Sequence, residues 1–127
     1  MECNALRVAG FGFRAAATAA SLHDALEQAG GVAGLTALAA PVDKASAPCF
    51  MAFARALALP VVRVSQGALA AQSTCTQAPR VQRARGTGSV AEAAALAGAG
   101  PGARLKMPRQ ISTDRMAACA IATGDRT

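Results

Sequence analysis

The order of apolar runs along this chain predicts an α/β fold: a three-layer α/β/α arrangement around a mostly parallel sheet with an antiparallel C-terminal strand. Three observations carry that prediction. Strand-length and helix-length apolar runs alternate through the first half of the sequence. Glycine or proline marks most of the switches between them. The last two apolar runs are separated by a loop of hairpin scale, which suits antiparallel strands.

Each element can be justified in turn. Ala5 to Phe11 reads as a short buried strand, with Gly10-Phe11-Gly12 as the turn after it. Ala15 to Gln28 reads as a helix whose face carries Leu22, Leu26 and Ala29, stopped by Gly30-Gly31. Leu35 to Ala40 is a second strand, closed by Pro41, and Val42-Asp43-Lys44 reads as a loop. A helix follows from Pro48 to Ala58, with proline in the first turn, where its missing N–H costs nothing. Val61 to Val64 is β-branched and forms the clearest strand.

Beyond it, Ser65 is placed to cap a short helix over Gln66 to Ala71, and Gln72 to Arg85 is irregular and polar. Ser89-Val90-Ala91-Glu92 has the capping-box pattern and opens an alanine helix to Ala97, terminated by Gly98 to Gly102. Arg104 to Pro108 and Arg115 to Ala122 are the final strands, with Arg109 to Asp114 between them. Residues 124–127 should fray.

The 127 residues suit one domain, with a core over about residues 5–122. Of these residues 35 are alanine and only 3% are aromatic, so the 53% hydrophobic content is mostly small side chains that let backbones pack closely. Cys3, Cys49, Cys75 and Cys119 are widely spaced with no C-x-x-C, which reads as free thiols in a cytoplasmic protein. His23 is alone and reads as a surface helix residue; with no second histidine, no metal site is expected. No stretch has the ~20 apolar residues of a membrane span, and no signal peptide is visible.

The net charge of +6 comes from eleven Arg and two Lys against seven acids. Basic proteins often bind nucleic acid, but none of the four Phe lies among the C-terminal arginines to stack bases. An acidic small molecule fits better, and a merely solvated surface is the plain alternative. Gly10-Phe11-Gly12-Phe13-Arg14-Ala15 matches G-x-G-x-x-A between a strand and a helix, as dinucleotide sites do. The second strand, however, ends in Ala39-Ala40-Pro41 without the acid that would hold a ribose. A turn for another anion or polar ligand is the better reading, and no cofactor is expected.

Gly86-Thr87-Gly88-Ser89 before the alanine helix is either an anion nest or a simple cap, and Glu92 would compete with an anion there. Asp43 and Lys44 follow the second strand, where ligands of doubly wound sheets bind.

Four segments resemble the CobE/CbiG C-terminal domain family of cobalamin biosynthesis. They are Val8-Ala9-Gly10-Phe11-Gly12-Phe13-Arg14, then Leu38 to Lys44, then Gly88-Ser89-Val90-Ala91-Glu92-Ala93-Ala94-Ala95-Leu96. The fourth is Met107-Pro108-Arg109-Gln110 with Asp114-Arg115-Met116-Ala117 and Ala120-Ile121-Ala122. They stand in family order over about residues 5–122. Pro41 and Ala47 depart from the family's usual Ser or Thr and Glu.

The resemblance implies a corrin-ring biosynthesis protein that binds or processes a precorrin or corrinoid intermediate of the aerobic pathway. Other enzymes of the pathway are further partners it suggests, with neither nucleic acid nor membrane involved. Catalysis of the cobalt-precorrin-5A hydrolase kind, a hydrolase or lyase reaction, is the alternative, and the chain is too short for that protein's additional domains. A nucleotide-binding module is the third reading. The expected ligand-binding residues are Gly10, Gly12, Arg14, Lys44, Thr87, Gly88, Ser89, Glu92 and Arg109. Asp43 and Lys44 are the candidates for catalysis. Corrin precursors carry many carboxylates, and arginine forks bind carboxylates bidentately.

Overall fold

The computed structural model describes residues 6–14, 16–32, 34–65, 67–68, 90–100 and 103–124. Strand β1 (Leu6–Phe13) leads to α1 (Ala19–Ala29), β2 (Ala37–Pro41), the single turn α2 (Val42–Ala45), α3 (Pro48–Leu57) and β3 (Val61–Val64). After the undescribed stretch come α4 (Val90–Ala99), β4 (Arg104–Ile111) and β5 (Ala117–Gly124). The sheet order is β3-β2-β1-β5-β4. β1 pairs parallel with β2, and β2 with β3, whereas β5 pairs antiparallel with both β1 and β4. Four of the five strands thus run in one direction, and the reversed strand β5 lies inside the sheet with β4 at its edge.

Alternation along the strands divides the core into two layers. Ala9, Phe11, Leu38, Ala40, Cys119 and Ile121 face α1 and α3, where Leu22, Leu26, Phe50 and Phe53 cover them. Val8, Ala39 and Ala122 face the other way, against Ala94, Ala95 and Ala99 of α4. The few aromatics are concentrated on the first face. Phe11 meets Phe50 and Phe53 edge-on with centroids 5.7 and 5.1 Å apart, and Phe13 stacks on Phe50. His23 is exposed on α1 with its ring edge-on to Phe53 at 4.6 Å.

The second face is built from small residues, and this explains the alanine excess. A Cβ on Gly10 would stand 2.3 Å from both the Ala91 carbonyl oxygen and the Ala95 nitrogen. One on Gly98 would meet the Ala39 Cβ at 2.9 Å and Val8 Cγ1 at 3.0 Å. Helix α4 therefore lies almost directly on the sheet.

Several boundaries differ from the sequence expectation. Gly10 and Gly12 are not a turn; they lie within β1, where α4 crosses them, and α1 begins only at Ala19. Thr18 caps α1: its Oγ1 accepts from the Ser21 amide, and Ser21 Oγ accepts from the Thr18 amide. Val42 to Ala45 form a helical turn rather than a loop. Gly98 lies inside α4, which continues to Ala99, because glycine is what the crossing requires. β4 extends to Ile111, and β5 starts at Ala117, so Arg109 and Gln110 are strand residues and the hairpin turn is 112–116. The Ser65 cap is present, with Ala68 N donating to its Oγ at 3.1 Å. Most of the expected Gln66 to Ala71 helix, and all of Gln72 to Ser89, lie outside the described residues.

Candidate functional site

The chain leaves β3 at one edge of the sheet and returns through α4 to β4 at the other, so the strand order reverses between β1 and β5. Open α/β sheets bind ligands at such a switch point, beyond the carboxyl ends of the strands. A cleft of about 380 Å³ lies there. It is lined by Gly12, Phe13 and Arg14 at the end of β1, Lys44 of α2, and Val90 and Ala91 in the first turn of α4. Arg109 and Ile111 of β4, Arg115 and Met116 of the turn, and Ala117 and Ala118 of β5 complete it.

Local structure sets the backbone of the three arginines and the ammonium of Lys44. The Arg14 amide donates to the Met116 carbonyl at 2.9 Å, which fastens the end of β1 to the hairpin turn. Lys44 Nζ sits 5.3 Å from the centroid of the Phe13 ring, a cation–π contact that holds the ammonium at the cleft rim. Arg109 occupies an irregular part of β4. Arg115 has φ 61°, a left-handed conformation that glycine adopts most cheaply. Arg115 lines the cleft from that conformation.

The turn itself is anchored to α1. Ser112, buried, accepts from the Met116 and Ala117 amides and donates to Asp114. Ser21 Oγ donates to the other Asp114 oxygen at 2.6 Å, and the Thr113 amide donates to Asp24. The Ser112 and Ser21 hydroxyls and the Met116 amide hold the Asp114 carboxyl below its usual range. The Thr113 amide does the same for Asp24.

The cleft contains no carboxylate among its described lining residues, and four cationic side chains converge on it. Val90 and Ala91 of the first turn of α4 border these cations, with Glu92 in the same turn. This environment attracts anions and suits carboxylates. A second cleft of about 410 Å³ adjoins the first across the shared Phe13 and Lys44, and Asp43, Ala47, Pro48 and Cys49 also line it. Among the described residues no group of three His, Cys, Asp or Glu could hold a metal ion. Among them, too, no helix is long and apolar enough to cross a membrane.

Of the expected site residues, Gly12, Arg14, Lys44 and Arg109 come together in the first cleft, and Asp43 lies with Lys44 in the second. Gly10 is covered by α4 and lines neither. Glu92 is fully buried behind the cleft and bonds to β4. Thr87, Gly88 and Ser89 lie outside the described residues. Phe13, Arg115 and Met116 join the cleft without having been anticipated. All three lie in segments that carry the family resemblance, but nothing in their residue types marked them as ligand-binding.

A mixed three-layer α/β domain with a cationic cleft at its switch point is the class of protein that fold and site define. The chain belongs to the family described as Cobalamin synthesis G C-terminus, whose model matches residues 7–122. Two solved structures resemble it over nearly their whole length. One is CobE, a protein from the cobalamin (vitamin B12) biosynthetic pathway, at 30% identity and TM-score 0.81, covering 97% of this chain and 93% of that one. The other is the cobalamin biosynthesis protein chiG from Agrobacterium tumefaciens str. C58, at 29% identity and TM-score 0.71, covering 95% and 100%. No curated protein matches the sequence. The chain is thus a cobalamin biosynthesis protein of the CobE/CbiG C-terminal type.

Proposed function

We propose that the first cleft binds a carboxylate-rich corrin-ring precursor in the cytoplasm, and that the chain serves the pathway by holding that intermediate. The observation that carries this reading is the convergence of Arg14, Lys44, Arg109 and Arg115 on one cleft that has no acid among its described lining residues. Acetate and propionate side chains of a corrin precursor pair with guanidinium forks and an ammonium. The macrocycle is larger than an ordinary drug-sized ligand, and about 380 Å³ lies near the small end of ligand pockets. The ligand therefore occupies the cleft with part of its ring and extends beyond it, towards the adjoining cleft and solvent.

A hydrolase or lyase acting through Lys44 or Asp43 is the second reading, supported by the position of both residues in the second cleft. The nucleotide reading has lost its physical basis, since Gly10 and Gly12 lie in a strand and Gly10 is covered by helix backbone. Titration with hydrogenobyrinic acid, followed by absorbance, tests the binding reading. Saturable binding with the ligand recovered unchanged supports a binder, a new product supports the enzyme, and no binding contradicts the proposal.

A further inference from the structure

Glu92 is a carboxylate with no exposed surface, next in sequence to Ala91 on the wall of a cationic cleft that Glu92 itself does not line. Burying a carboxylate is costly unless its oxygens are satisfied. One of its oxygens accepts a hydrogen bond from the backbone amide of Arg109 at 3.0 Å.

The position of that amide is informative. Between the Met107–Ile121 and Gln110–Cys119 pairs, β4 advances three residues while β5 advances two. Between the Leu105–Ala122 and Met107–Ile121 pairs, β4 advances two residues while β5 advances one. The edge strand is therefore bulged on both sides of Met107. Pro108 has no amide to give to a ladder, and Arg109 follows it inside the second bulge. Bulges redirect side chains, commonly beside functional sites. Here the redirected side chain is one of the four cations of the cleft.

We propose that Glu92 is a positioning residue: its bond to the Arg109 amide fixes the β4 bulge and aims the Arg109 guanidinium into the cleft. The same bond ties the first turn of α4 to β4, two of the elements that form the cleft walls. This inference rests on the reading of Arg109 as a carboxylate-binding group, but the geometry it asserts can be tested without a ligand.

The first arm measures amide hydrogen exchange of Arg109 in the free protein. Glu92→Ala removes the acceptor and should accelerate exchange about tenfold or more, the equivalent of one modest hydrogen bond. Glu92→Gln keeps the size and one acceptor oxygen, so it should fall between wild type and Glu92→Ala. If the alanine variant does not fold, Glu92→Leu removes the acceptor while keeping most of the volume. Unchanged Arg109 exchange in the folded variant that lacks the acceptor overturns the proposal.

The second arm titrates hydrogenobyrinic acid in a double-mutant cycle with Arg109→Ala. Glu92→Ala should weaken binding roughly tenfold in the wild-type background and have little further effect once Arg109 is alanine. Glu92→Gln should recover most of the loss. Losses that multiply instead of saturating would show that Glu92 acts other than through Arg109 and would overturn the proposal. If the wild type binds no corrin acid, the binding reading fails, and the exchange arm still decides the positioning claim.

Discussion

A Cβ placed on Gly10 would lie 2.3 Å from the backbone nitrogen of Ala95. Strand β1 and helix α4 are therefore in backbone contact at the centre of the second core layer. The clashing atoms are backbone, so no rotamer change relieves them. Gly10→Ala should cost about 3 kcal/mol or more, at or above the upper end of ordinary overpacking. Gly67→Ala, with no atom of the described residues within 4 Å of the added Cβ, should stay within about 1 kcal/mol of wild type. Urea unfolding of both variants checks the pair.

Arg115→Gly should separate stability from binding. Glycine relieves the left-handed backbone at φ 61°, so the variant should be unchanged or more stable, by up to about 1 kcal/mol. Loss of the guanidinium should weaken corrin-acid binding by roughly tenfold or more. A variant that loses stability and retains affinity would remove Arg115 from the site.

The clamp between α1 and the hairpin turn should fail in acid. Asp114 and Asp24 have carboxyl groups held below their ordinary values by hydrogen bonds from Ser112 and Ser21 and from the Thr113 amide, respectively. A depressed folded-state value means that each contributes stability above the unfolded value of about 4, lost as pH falls through the folded value. The Asp24→Asn/Asp114→Asn variant should therefore lose less stability than wild type between about pH 6 and pH 3. Parallel curves for the two proteins would contradict the clamp.

Burial pushes the Cys119 thiol far up, out of reach of the thiolate form at neutral pH. Cys49 is half-buried on the wall of the second cleft. Peptide mapping after brief alkylation of the native protein should find Cys49 modified and Cys119 unmodified. Denaturation should expose both. Native labelling of Cys119 would contradict the packing of β5 against α1.

How much of this was legible in the sequence varied with the physics of each part. Periodicity located the strands and α1, α3 and α4, because a buried face imposes its period wherever it occurs. Gly30 does stop α1, but three other glycines are not the turns or stops the sequence suggests. Sequence alone gives the same residue for a turn and for a close backbone crossing, and Gly10, Gly12 and Gly98 belong to the crossing. β4 was expected to end at Pro108 because proline usually closes a strand; here it sits in a bulged edge strand, where no ladder amide is required of it. For the site, Arg14 and Lys44 could be anticipated because each lies within three residues of the carboxyl end of a strand that the pattern located. Arg115 could not, since its place depends on a turn held by Ser112, Asp114 and a helix residue 93 positions away, Ser21.

The central claim is that converged cations in one cleft recognise the carboxylates of a corrin precursor. The most direct test compares the affinity of wild type and of the Arg14→Ala/Lys44→Ala/Arg115→Ala variant for hydrogenobyrinic acid, with the fold checked by circular dichroism. Wild type should bind saturably and less tightly as salt is raised, and the folded triple variant should lose about a hundredfold or more in affinity. Equal binding by the two folded proteins, or none by wild type, would contradict the account.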